Sequence, residues 1–536
     1  MKLLISSGIF YLILILFSHH CFAQAQFERT IGGGGNDYAY SVIETRDGGY
    51  AMAGYTNSMG AGVFDYYIVK LDKNGLMQWS KAIGGLYDDE AYSIIQTRDN
   101  NYVITGATYS FGAGNYDFYV VKLDSNGNLI WNRTYGSTAS DYSYSIIETS
   151  DGGYAIAGYT SSFNTVYGGM LIMKIDTSGG LKWAKTIDGP YYDGATCIIQ
   201  TTDGGYAVGG WYYYYSAEYY DFYIVKLDSN ANLQWTRTVG GHGQDVCWSV
   251  KQTTDGGFIA GGFADSSSAG YYDSYFVRLD SAGNVLWTTT VGGSGDDYAT
   301  SVVQTPDGGF LAAGQTNSFG PYLLFYLVKL YGNGTLSWTK TIKGPGNGTE
   351  GESIIKSPLG GYPGAGFNYL NGQADFFLVK FDSNFNSCGD TATVQSTTGT
   401  RSNIGSGGNI MSVTPTVMNP AAMQTTGGTV ADICDAIGVK KTGNEIPQKF
   451  NLYQNYPNPF NPETNIKFDI PKTGFVSLKV YDISGQLVKS ILSGILMHAG
   501  SRTYLFNGTG LASGVYFYTL MVDNNVIDSK KMMLLK

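Results

Sequence analysis

The chain has 536 residues, 14% of them charged, with 74 Gly and 44 Tyr. That length exceeds a single hydrophobic core, and the composition suits many short strands and tight turns rather than long surface helices. The formal charge is −10 and no Lys/Arg cluster appears, which argues against a phosphate-tracking groove and so against a nucleic-acid partner.

At the N-terminus, Lys2, the apolar run LLISSGIFYLILILF and the small-residue pattern CFAQA form a secretory signal peptide over residues 1–23. The expected location is therefore outside the cytoplasm, secreted or on the outer-membrane cell surface. No later apolar run approaches the ~20 residues that span a bilayer, so no transmembrane segment is expected after signal cleavage.

From residue 24 to 382 the text repeats. TRDGGYAMAGYT at 45–56 returns as TSDGGYAIAGYT at 149, TTDGGYAVGGWY at 201, TTDGGFIAGGFA at 253 and TPDGGFLAAGQT at 305. Phe27, Trp79, Trp131, Trp183, Trp235 and Trp287 stand 52 residues apart and Trp338 follows after 51, giving seven copies. Each copy holds four strand signals in two hairpins: SVIET-like, YAMAGYT-like, DYYIVKLD-like and LMQWSKAI-like, with Asp-Gly-Gly and D-x-N-G turns between them. Four antiparallel strands at a period near 50 match a propeller blade. The phase adds a further expectation. FERTI at 27–31 aligns with the strand that ends a blade, whereas the seventh copy lacks its Trp strand. The leading strand is thus expected to clasp the last blade and close a seven-bladed β-propeller. The pattern GGxGxDxAxSVxxTxDGGYxxAGYT…DFYxVKLDxNGNLxW also resembles the propeller repeats of secreted bacterial proteins, which implies the fold and leaves the ligand open.

Residues 383–449 turn Ser/Thr/Gly-rich and are expected as a linker. Cys388 and Cys434 bracket most of it and, in an oxidising compartment, are expected to form a disulfide stabilising by about 3–4 kcal/mol. Cys197 and Cys247 read as small buried thiols. Residues 450–536 carry alternating Ile466, Phe468, Ile470 and Val476, Leu478, Val480, the period of a small immunoglobulin-like β-sandwich. The motifs NYPNPFNPETNIKFDIP, VSLKVYDISGQLV, LASGVYFY and KKMMLLK resemble, in that order, the C-terminal sorting domain of type IX secretion substrates. The resemblance implies export across an outer membrane, with the secretion machinery as partner of residues 450–536.

No Ser/His/Asp set can be assembled, because His242 and His498 fall in different domains and the other two His lie in the signal peptide. No Cys/His metal spacing occurs either. No catalytic residue, metal site or cofactor is therefore assigned. On the face that carries the blade crossovers, Asp37, Asp89, Asp141, Asp193, Asp245 and Asp297 recur every 52 residues. They suit either an acidic ring for calcium or sugar hydroxyls, or carboxylates that accept backbone N–H bonds and fix their own crossovers. The evenness of the series favours the second. Symmetry breaks at WYYYYSAEYYD (211–221) and SSSAGYYD (266–273), whose Tyr212, Tyr213, Tyr214, Tyr215, Tyr219, Tyr220, Tyr271 and Tyr272 are the candidate ligand contacts. The function these features imply is binding or adhesion, with a glycan or surface protein as ligand. A polysaccharide-active hydrolase or lyase, or a structural scaffold, are the alternatives.

Overall fold

A computed structural model describes residues 27–387 and 449–535 apart from short turns, and the backbone of seven short strands between 391 and 432. The signal-peptide stretch, Cys388 and Cys434 lie outside the described residues. Among the described residues every element of the propeller and the C-terminal domain is a β-strand.

The first blade runs Asp37–Glu44, Tyr50–Thr56, Asp65–Leu71 and Met77–Gly84, each strand antiparallel to the next. The same order repeats through the seventh blade. Two features of the repeat explain the hairpins. Gly48 takes φ 79° in the Asp-Gly-Gly turn, a left-handed conformation that favours glycine. The Lys of the VKLD segment then reaches back to the Asp of that turn, as in Lys70–Asp47 at 2.8 Å and Lys226–Asp203 at 2.8 Å. Arg278 does the same for Asp255 in the fifth blade.

Neighbouring blades share apolar cores. Ile68, Ile83, Ile94 and Ile104 pack together between the first and second blades. Ile31, Val42, Phe376 and Leu378 do so between the seventh and the first. That last core closes the ring, and the strand that makes it is the clasp. Phe27–Gly32 pairs with Gln373–Phe381, setting Phe27 opposite Lys380 as Trp79 is set opposite Lys70. Phe27 also stands edge-on to Tyr50 at 5.6 Å, the distance between Trp79 and Tyr102. The chain's first described strand thus takes the place of the missing seventh Trp strand.

The Ser/Thr/Gly-rich stretch expected as a linker does more than connect. Its seven strands, from Thr391–Val394 to Thr429–Asp432, add a fifth strand to each blade. They visit the sixth blade first, then the fifth, fourth, third, second and first, and finally the clasp strand of the seventh. This belt covers every outer edge of the ring, and such edges would otherwise offer unpaired N–H and C=O groups to another chain.

Each inner strand carries a bulge. In the first blade the register slips between Ala39 and Ser41, leaving Tyr40 unpaired, and the same slip recurs one residue before Ser93, Ser145, Cys197, Ser249, Ser301 and Ser353. The glycine of the AGYT segment permits it. A Cβ on Gly106 would lie 1.9 Å from the carbonyl oxygen of Glu90, so a side chain there must push the bulged backbone away. Gly106→Ala is expected to destabilise the ring by about 1–3 kcal/mol, read as a lower urea midpoint with an unchanged slope.

Residues 449–535 fold as a two-sheet sandwich. A three-stranded sheet contains Glu463–Ile470 and a four-stranded sheet contains Gly474–Tyr481. Ile466, Phe468 and Ile470 meet Val476, Leu478 and Val480 in one core, the residues whose alternation marked the strands. The buried Asn455 anchors the Pro-rich entry. Its amide donates to Pro457 at 3.1 Å and Thr464 at 2.9 Å, and its backbone N–H donates to the Tyr518 hydroxyl at 2.7 Å.

Candidate functional site

The seven inner strands contact one another in a ring and line the axis. Their bulged residues are Tyr40, Tyr92, Tyr144, Thr196, Trp248, Thr300 and Glu352. The residue type in this column changes from blade to blade. Tyr40 and Tyr92 have ring centroids 5.3 Å apart, Tyr92 and Tyr144 5.1 Å, and Tyr40 stacks on Tyr55 at 5.4 Å with their hydroxyls 3.0 Å apart. Thr196 and Thr300 instead turn to backbone, donating to the carbonyls of Cys247 at 2.6 Å and Gly351 at 2.9 Å. Trp248 is left 39% exposed between them.

The aromatic contacts continue outward from this mouth. On one side Tyr38 meets Phe367 at 5.0 Å, and Phe367 meets Tyr369. On the other, Tyr144 meets Trp211, and Trp211 stacks with Tyr159 at 6.3 Å. Further out, Tyr87, Tyr109 and Tyr116 lead back to Tyr142. The result is an arc of rings over blades seven, one, two, three and four.

Three carboxyls sit within the arc. Tyr92 donates a short hydrogen bond to Glu90, and the Tyr369 hydroxyl is hydrogen-bonded to the buried Glu350. Glu352 belongs to the bulged column itself. Burial raises all three above the usual carboxylate range, Glu350 to about 6, and the neighbouring charge of Glu350 raises Glu352 further. Burial likewise pushes the Tyr40 and Tyr92 hydroxyls upward, so they stay protonated donors at neutral pH.

The tyrosines expected from the irregular loops divide. Tyr212 is buried, 7% exposed and edge-on to Tyr223 at 5.3 Å in the core between the third and fourth blades. It is a packing residue and not a surface contact, because alternation along Tyr206–Tyr214 turns its side chain inward. Tyr213 is half-buried between Tyr192 at 6.0 Å and Tyr220 at 4.8 Å, forming a rim patch with Tyr167. Tyr271 is 80% exposed, while Tyr272 packs on Phe263 and Tyr298. Tyr215 and the side chains of Tyr214 and Tyr219 lie outside the described residues.

Of the six periodic aspartates, Asp37 accepts from the Gly33 N–H at 2.7 Å and the Ser58 hydroxyl at 2.8 Å, Asp89 from Gly85 and Ser110, and Asp297 from Gly293 and Ser318. Asp141 accepts from Ser137, Ser162 and Thr160, Asp245 from Gly241, and Asp193 from Tyr213. All six are buried at the crossovers. Asp124 of the D-x-N-G turn is likewise engaged by its own turn, accepting from the N–H groups of Asn126 and Asn128. Among the described residues no group of three or more His, Cys, Asp or Glu is placed to hold a metal ion.

Residues 454–534 match the family model described as a secretion system C-terminal sorting domain. The chain carries a type IX sorting domain. It is accordingly a secreted or cell-surface β-propeller protein whose tail engages that secretion machinery. No helix of the described residues is long and apolar enough to cross a membrane. Among curated proteins none matches. Two solved structures are similar in outline. PorZ, a surface component of the type IX secretion system of Porphyromonas gingivalis, is 12% identical with a TM-score of 0.26, covering 94% of this chain and 53% of its own. This chain thus spans about half the length of PorZ. An endo-1,5-α-L-arabinanase from Thermotoga petrophila is 10% identical with a TM-score of 0.27, covering 66% of this chain and all of its own.

Proposed function

We propose that this protein binds a glycan at the axial mouth of the ring, on the face that carries the crossovers. The observation that carries the reading is the arc of Tyr40, Tyr92, Tyr144 and Trp211 around Glu90, Glu350 and Glu352. Flat rings offer apolar area to the faces of sugars, and protonated tyrosine hydroxyls and carboxyls supply donors and acceptors for sugar hydroxyls. A purely structural ring has no need of irregular residues in its innermost column, where the Ser column one residue further on already joins neighbouring strands through bonds such as Ser41 to the Ile94 N–H.

Glycan-array binding of the full chain tests this. Tyr92→Ala is expected to weaken the best signal by about tenfold or more, the scale of losing one stacked aromatic contact. Tyr331→Ala, which alters an exposed tyrosine in a hairpin turn at the opposite end of the blade, is expected to leave the signal unchanged. Equal loss in both variants, or no glycan bound by the wild-type chain, would count against the reading. A second reading, hydrolysis of the bound glycan by two of the convergent carboxyls, is favoured by Glu90 and Glu352 both acting on Tyr40 and Tyr55. It is separated from binding alone by release of reducing sugar.

A further inference from the structure

One junction of the ring departs from the repeat in several columns at once. The inner-strand Ser of most blades reaches the next blade, as Ser145 accepts from the Ile198 N–H at 3.2 Å and Ser249 from the Val302 N–H at 3.3 Å. In the fourth blade that Ser is Cys197, and in the fifth the position held elsewhere by Ala, Ser or Gly is Cys247. The two sulfurs meet between the blades. Each lies 2.8 Å from the point where a Cβ on Gly209 would stand, so they are no farther apart than twice that distance, and the thiols are hydrogen-bonded to one another. A side chain at Gly209 would fill the space they share. Cys247 is wholly buried, with the Ser249 carbonyl 3.6 Å from its sulfur, whereas Cys197 keeps part of its surface open. A further departure stands beside them. Lys251 occupies a column that is Ile or Val in the other six blades, and among the described residues the group on which its charge acts is Cys197.

We propose that Cys197 and Cys247 are an oxidisable dithiol that closes, on reaction with hydrogen peroxide, to a disulfide between the inner strands of the fourth and fifth blades. The order of events follows from exposure and charge. Burial alone would raise the Cys197 thiol, but its hydrogen bonds with Cys247 and Thr196 and the charge of Lys251 hold it below the usual thiol value, and the thiolate is the attacking form. Burial and the neighbouring Cys197 push the Cys247 thiol up, so it stays protonated until the second step. The Cys197 thiolate attacks one peroxide oxygen, the O–O bond breaks, and the other oxygen leaves as hydroxide and takes up a proton as water. Cys197 is then the sulfenic acid. The Cys247 sulfur next attacks the Cys197 sulfur, the S–O bond breaks, and the departing hydroxide leaves as water with the Cys247 proton. Two thiols are oxidised and one peroxide is reduced to two waters. A secreted or cell-surface chain meets such oxidants, and disulfides persist there. Because Thr196 and Trp248 adjoin the two cysteines, the bond also fixes the spacing of two members of the axial column. The dithiol acts whether or not the mouth binds a glycan.

The test is peptide mapping of the full chain after reduction, removal of the reductant and exposure to a small excess of hydrogen peroxide. A cross-linked pair of peptides holding Cys197 and Cys247, returned to free thiols by dithiothreitol, is the expected result. Cys247→Ser is expected to leave Cys197 as a sulfenic acid that dimedone traps, and Cys197→Ser to leave Cys247 a free thiol. Lys251→Ile, which restores the apolar residue of the column, is expected to slow disulfide formation at neutral pH severalfold. Both cysteines recovered as free thiols from the peroxide-treated wild-type chain overturn the proposal, and this measurement needs no variant to fold. Linkage of either one to Cys388 or Cys434 overturns the pairing. Cys197 recovered unlinked as sulfenic or sulfinic acid in the wild type overturns the part given to Cys247. Dimedone capture at Cys247 in the Cys197→Ser chain, with none at Cys197 in the other variant, reverses the order of attack. An unchanged rate in Lys251→Ile overturns the part given to that charge.

Discussion

A chain beginning at Gly33 is expected to lose its cooperative thermal transition and to associate through unpaired strand edges. Removal of Phe27–Gly32 uncovers Gln373–Phe381 on one side and the Thr429–Asp432 strand of the belt on the other. It also takes Phe27 and Ile31, 3% and 0% exposed, out of the core that joins the seventh blade to the first. Ile31→Ala alone should cost about 2–5 kcal/mol, whereas the whole strand holds the ends of the ring together, so its loss is not a local defect. Size-exclusion chromatography and a thermal scan measure the outcome. A peptide of residues 24–34 added in trans should restore part of the transition, because it supplies the strand that pairs with both edges. A truncated chain that stays monomeric with an unchanged melting temperature would show that the ring closes without the clasp.

The melting temperature of the full chain is expected to be highest near pH 4 and to fall between about pH 4 and 7, the reverse of a protein held together mainly by surface ion pairs. The cause lies at five blade junctions. There the aspartate that opens a third strand meets the aspartate that opens an inner strand over a glycine too crowded to carry a side chain: Asp375 with Asp37, Asp65 with Asp89, Asp117 with Asp141, Asp221 with Asp245, and Asp273 with Asp297. Burial raises Asp37 and Asp117 from 3.8 to about 7, and Asp89, Asp141, Asp297 and Asp375 to about 6. A carboxyl whose folded value exceeds its unfolded one binds its proton more tightly when folded. Its stabilising effect is complete below 3.8 and is lost as pH rises through 6 to 7.

The turn aspartates act at the other end. Burial alone would raise Asp99, Asp151, Asp203 and Asp307, but hydrogen bonds from neighbouring Thr and Lys hold them near 2, so their contribution is lost only as pH falls from 3.8 toward 2. Asp117→Asn should flatten part of the decline between about pH 4 and 7. A melting temperature that is level or rising from about pH 4 to 7 would mean the junction carboxyls are ionised in the folded ring.

Much of the fold is legible in the sequence because its periodicity is physical. The 52-residue spacing of Trp places one aromatic rung per blade, and the phase of FERTI against WSKAI identifies the clasp before any coordinate is known. Even the exceptions keep their logic. The third blade has Gly169 where Asp65 stands in the first, and Asp188 where Gly84 stands, so the two residue types trade places in the sequence. In the seventh blade Thr349 replaces the aspartate and still accepts from the Gly344 N–H at 2.8 Å.

The belt was hidden for the opposite reason. Its strands are only three to five residues long, such as TATV, TTG and NIMSV, too short for a strand period to stand out, and their pairing comes from the blade edges they complete. A weaker signal was present, since the strands begin at 391, 397, 403, 409, 416, 423 and 429. Six or seven residues is about 20 Å of extended chain, on the scale of the step from one blade edge to the next. The proposed mouth is not legible in the Tyr-rich loops. Its residues lie instead in the SVIET-like strand, where Tyr40, Tyr92 and Tyr144 give way to Thr196, Trp248, Thr300 and Glu352. Irregularity inside a regular column is the better guide, for a repeat's fold constrains that column little once a glycine admits the bulge.

A crystal structure of the chain soaked with the best oligosaccharide from the array tests the central claim most directly. Sugar density stacked on Tyr40 and Tyr92 with a polar group against Glu352 is the predicted result. Density confined to the Asp-Gly-Gly turns or the belted outer edge, with the mouth filled only by solvent, would contradict it.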